Sequence, residues 1–125
     1  MLREPGALLH LPECETLVSS ELIAVESRRT IDRLRVQGAL STEEAADRLR
    51  AIADWLEALD LVLVRPTVLG RAGEPLPTPL GTLDALHLAS ALVWRDRVAP
   101  ISFVATHDGA LALAARAYGF DVVGA

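Results

Sequence analysis

Residues 82–94 carry apolar side chains on almost every face when wound at helical periodicity, with Leu83, Leu86, Leu88, Ala89, Leu92 and Val93 leaving little polar surface. Such a helix has to be covered on most of its sides, so the chain must supply layers around it. Two apolar runs of strand length flank it, at 61–64 and 101–105. Both are too short for helices and suit strands buried on two faces, as in a parallel sheet.

The rest of the chain alternates in the same way. A short β-prone run begins at Thr16, and Ser19 or Ser20 can cap a helix over 21–38, where Leu22, Val25, Ile31 and Leu34 form the apolar stripe and Gly38 is the stop. Ser41 stands three residues before Glu44, the spacing of a capping box, and predicts a second helix to about Leu59. Residues 65–79 contain Pro66, Gly70, Gly73, Pro75, Pro77 and Pro79, which predicts a loop with at most one turn around 67–69. A helix over 108–118, stopped by Gly119, and a last short strand over 121–123 complete the pattern. Strands alternating with helices predict one α/β domain over 1–125 with a parallel sheet. The opening, residues 1–15, reads as an irregular tail, since Glu4-Pro5-Gly6 is turn chemistry and Pro12 limits any helix there.

Composition narrows the chemistry. All 12 basic residues are Arg, which excludes P-loop phosphate binding and Schiff-base catalysis, both of which need a lysine. The lone Cys14 cannot form an intramolecular disulfide. No apolar stretch has membrane-helix length and no signal peptide opens the chain, so the expected location is the cytoplasm. The net charge of −5 argues against broad electrostatic capture of nucleic acid. A nuclease is compatible with it if the acids are concentrated around metal ions and the arginines line the rim.

In an open parallel sheet, ligands bind beyond the carboxyl ends of the strands, where the following helices begin. Each such junction here holds a carboxylate: Glu21 or Glu26 after the first strand, Asp84 at the start of the apolar helix, and Asp108 after 101–105. Converging carboxylates are the ligands of Mg²⁺ and Mn²⁺, which activate water and stabilise phosphoryl charge. Each acid also has an ordinary explanation. Asp84 and Asp108 suit a first helical turn, and Glu26 can pair with Arg29 or Thr30 along its own helix. Glu21 and Glu26 are about 140° apart around a helix, so both cannot aim at one small site; Glu26 is preferred, with Glu21 as an outer ligand or cap. His87 is read as a hydrogen-bonded core histidine rather than a metal ligand, and His107 as exposed.

Three stretches, Val18-Ser19-Ser20-Glu21-Leu22-Ile23-Ala24-Val25-Glu26-Ser27-Arg28-Arg29, Thr82-Leu83-Asp84-Ala85-Leu86-His87-Leu88-Ala89-Ser90-Ala91 and Phe103-Val104-Ala105-Thr106-His107-Asp108, resemble PIN domains of VapC toxins in order and spacing. The resemblance implies a three-layer α/β/α fold and a metal-dependent endoribonuclease, the toxin of a type II toxin–antitoxin system. By that resemblance Glu26, Asp84 and Asp108 are the catalytic and metal-binding acids for Mg²⁺ or Mn²⁺, Thr106 orients the site, and Arg28 and Arg29 reach RNA phosphate. It also implies an RNA substrate, a cognate antitoxin and a homodimer, with no membrane partner. PIN domains open with an apolar strand ending in a metal-binding aspartate, and no such element is present here, so the expected fold lacks its first strand. The alternative is an inactive or truncated PIN domain that only binds an antitoxin or another partner, through the helices beginning at Glu21 and Ser41.

Overall fold

A computed structural model of the protein describes residues 16–124. The tail over 1–15, with Cys14, lies outside the described residues. The elements follow in the order β1 (Val18–Ser20), α1 (Leu22–Val36), α2 (Thr42–Glu57), β2 (Asp60–Val62), α3 (Pro66–Ala72), α4 (Thr82–Arg97), β3 (Val104–Ala105), α5 (Gly109–Ala117) and β4 (Val122–Val123). The chain is a mixed α/β protein with short parallel strands.

Helices α1 and α2 form a hairpin. Gly38, at φ +79, provides the left-handed residue that ends α1, and α2 begins in a complete capping box: Ser41 Oγ accepts the Glu44 N–H at 3.1 Å while Glu44 Oε1 accepts the Ser41 N–H at 3.1 Å. Ile31, Leu40, Ala45 and Ile52 close a small core between the two helices.

Where the Pro- and Gly-rich segment predicts irregular chain with one turn, the structure has the two-turn helix α3. Pro66 sits at its first position, where the fixed φ is already helical and the missing N–H would have had no partner. Val68, fully buried, anchors the helix. The remaining Pro and Gly residues, from Gly73 onward, make the connection to α4.

As the apolar pattern requires, α4 lies inside the molecule, with every position from Ala85 to Leu92 buried except Leu86. Leu88, Ala91 and Leu92 join Val104, Leu111, Ala114, Ala115 and Phe120 in the largest core cluster. Of the apolar run 101–105 only Val104 and Ala105 are paired, to Val122 and Val123. Ile101 and Phe103 spend their apolar surface on packing instead, against the two core clusters on either side.

The sheet differs from expectation. Strand β1 pairs in parallel with β2, and β3 with β4, but among the described residues these are two separate two-stranded sheets. What joins them is side-chain packing: Ile23 from α1, Leu59 from the approach to β2 and Ala105 from β3 meet in one buried cluster, with Leu61, Phe103 and Val123 against it. Chain order puts the carboxyl ends of β1 and β3 at the starts of α1 and α5. No helix among the described residues is long and apolar enough to cross a membrane.

Candidate functional site

The first acid-bearing junction is the turn from β1 into α1. Ser20 Oγ accepts the Leu22 N–H at 3.2 Å, which satisfies one of the first-turn donors that a helix leaves unpaired. Glu21 donates its N–H to Val62 O at 2.9 Å, and its Oε1 accepts the Val64 N–H at 2.7 Å. Its carboxylate therefore extends the β1–β2 ladder by one more bond, across 43 residues of sequence. Glu21 makes no side-chain cap bond.

Glu26 lies farther along α1, half-buried, and its Oε1 contacts Nε2 of His87 on α4. The pairing along its own helix that the sequence allows takes a different form: Thr30 Oγ1 donates to the backbone carbonyl of Glu26 at 2.9 Å, and Arg29 instead bonds Asp32 at 3.0 Å. Helix α1 thus turns Glu26 inward and keeps Arg28 and Arg29 exposed. Asp32 sits between two arginines; the hydrogen bond from Arg35 at 2.9 Å is the main reason its carboxyl is held below the usual value of 3.8.

Helix α4 starts at Gly81 without a side-chain cap, and Asp84, half-buried, is the acid in its first turn. A carboxylate there is stabilised by the unpaired N–H groups and the dipole of the helix. His87 follows three residues later on the same face. Through His87, Glu26 reaches the helix that carries Asp84.

The third junction is β3 into α5. Thr106 is fully buried, and its Oγ1 accepts the Asp108 N–H at 3.0 Å. Asp108 then caps α5, its Oδ1 accepting the Leu111 N–H at 2.9 Å. Exposed His107 bonds through Nδ1 to Gly124 O at 2.7 Å, so that nitrogen carries a proton.

The geometry joins Glu26 to His87, and Asp84 lies three residues before His87 on the same helix. The bonds of Asp108 are those of a helix cap, and no group of three or more His, Cys, Asp or Glu residues stands together as a metal cage among the described residues. The donor chemistry nevertheless fits a hard cation. Mg²⁺ dehydrates reluctantly, keeps several waters and is usually held by one or two carboxylates plus substrate phosphate, and Glu26 and Asp84 are two half-buried carboxylates, on α1 and α4.

No protein-family model and no curated protein matches this chain. A cleft between α3, the connection that follows it and the start of α4 is lined by Leu69, Leu76, Leu80, Ala85 and Leu86 among others, and none of the candidate acids lines it. The contact between Glu26 and His87 spans 61 residues. Its sequence signal was half visible: a polar residue in the middle of an all-round apolar helix needs a partner, but the pattern does not name it.

Proposed function

We propose that the chain is a PIN-type endoribonuclease, dependent on Mg²⁺ or Mn²⁺, and that it acts as the toxin of a toxin–antitoxin pair. The single observation that supports this best is the contact of Glu26 with His87, which brings Glu26 to the helix that carries Asp84 although the two acids are remote in sequence. In this reading Glu26 and Asp84 are the carboxylates that would hold the cation. The bound cation supplies a lowered water pKa and a charge to match the developing phosphoryl charge.

The chain's own groups do the rest. Glu26 and Asp84 are both half-buried, so their charge is only partly screened by water. In the same reading Asp108, at the carboxyl end of β3 and held by Thr106 and by the first turn of α5, is the third acid. In this reading exposed Arg28 and Arg29 on α1 meet RNA phosphates and locally offset the net charge of −5. The PIN-like three-layer arrangement, a homodimer and a cognate antitoxin belong to the same proposal.

The test is Mn²⁺-dependent cleavage of a mixed RNA substrate by the full chain and by Asp84→Asn. Cleavage by the wild type and its loss in the variant is the expected result. Equal cleavage by both would remove Asp84 from the mechanism. A second reading, a non-catalytic domain that binds an antitoxin or other partner, is favoured by the commitment of the Asp108 carboxylate to capping α5. Absence of cleavage by folded wild-type chain is the outcome that selects it.

A further inference from the structure

His87 is 2% exposed in the middle of the buried stretch of α4, at a position where an aliphatic side chain would be the ordinary choice. Its Nε2 meets Glu26 Oε1, while its Nδ1 has no hydrogen-bond partner among the described residues. A buried imidazole with one nitrogen unsatisfied is a poor way to stabilise a core, because the unpaired atom loses its hydration without replacement. The one bond it does make goes to a candidate metal ligand. A carboxylate only accepts, so the proton of that bond sits on Nε2 and the histidine acts as a fixed donor aimed at one Glu26 oxygen.

We infer that His87 is the positioning residue for Glu26: it holds Oε1 from inside the protein and so fixes the direction in which the carboxylate can meet a divalent cation. The inference rests on the ribonuclease reading above and deepens it. Ligating carboxylates are commonly oriented by an outer hydrogen-bond partner, and removing that partner typically lowers metal affinity by about 10- to 100-fold. His87 has the requirements of such a partner. It is immobilised by its burial among α4 neighbours, it has no competing bond among the described residues, and it lies on the helix that carries Asp84, so one rigid element sets both acids.

The probe is Mn²⁺ alone, titrated into the full-length chain and followed by calorimetry or by the loss of the free-ion EPR signal. The informative pair is His87→Gln and His87→Asn. Both keep a polar amide in the core, but the Gln nitrogen extends as far as Nε2, whereas the Asn nitrogen stops near the position of Nδ1. The expected result is near wild-type Mn²⁺ affinity for His87→Gln and a loss of about 10- to 100-fold for His87→Asn. Thermal melts of both variants supply the readout a purely structural histidine would govern. Equal Mn²⁺ affinities for the two variants overturn the inference and leave the ribonuclease reading in place, and so does an affinity that simply follows the melting temperature. No Mn²⁺ binding by the wild type overturns the ribonuclease reading itself, and the inference with it.

Discussion

Replacing Leu92 by Ala tests whether α4 is the centre of the fold. Leu92 is 1% exposed and belongs to the cluster formed with Leu88, Leu111, Val104 and Phe120. Truncation removes three carbon atoms from a site already closed on all sides, and the loss is the transfer free energy plus the cavity left behind, together about 3 to 4 kcal/mol. Against the roughly 5 to 15 kcal/mol by which a domain of this kind is stable, this is a large fraction. Leu113 is the internal control: the same residue type, in α5, but 57% exposed, so Leu113→Ala should change stability by less than about 0.5 kcal/mol. Urea unfolding followed by far-UV circular dichroism reads both. With a slope of about 1.5 kcal/mol/M, the Leu92 variant should lose about 2 M in its midpoint and the Leu113 variant a few tenths at most. Equal shifts in the two variants, or a loss below about 1 kcal/mol for Leu92→Ala, would refute the claim that this helix is the packed centre.

Three further outcomes follow from particular bonds. The backbone N–H of Ser41 is the main cause that holds the Glu44 carboxyl below its usual 4.5, with the Ser41 hydroxyl next. A depressed folded value means that the stabilisation is present above the unfolded value and lost as pH falls through the folded one. Glu44→Gln should therefore melt at a lower temperature than wild type at pH 7 and at the same temperature in acid well below 4.5; a constant difference would contradict this. Glu21→Ala removes the acceptor of the Val64 N–H and should cost about 1 kcal/mol, with faster amide hydrogen exchange at Val64 in NMR spectra; unchanged exchange would mean the bond is not maintained in solution. Asp108→Ser keeps a side-chain cap for α5 and should leave the melting temperature nearly unchanged, whereas Asp108→Ala should cost about 1 kcal/mol. If the Ser variant also keeps full Mn²⁺-dependent RNA cleavage, Asp108 is a cap and nothing more.

The elements were legible in the sequence wherever the cause was local. Capping at Ser41 needs only Glu44, three residues away. The helix stops at Gly38 and Gly119 need only the left-handed backbone those glycines adopt, at φ +79 and +87. The apolar surface of α4 announced its burial without reference to what would cover it. Helix α3 was hidden because proline is read first as a breaker, although at the first helical position it is a starter, and the burial of Val68 that makes the short helix worthwhile depends on the rest of the fold.

The sequence by itself determined the alternation of strands and helices, the parallel direction of the strands, and the presence of an acid near the carboxyl end of each of the two parallel pairs, because periodicity, turn chemistry and junction residues act over a few positions. Tertiary structure alone decided that the strands form two separate pairs joined by Ile23, Leu59 and Ala105, that Glu21 ties itself to Val64, and that Glu26 meets His87. Each of these depends on where two distant segments come to rest against a shared core. A side chain's partner across 43 or 61 residues is set by that packing and leaves no periodic trace in the chain.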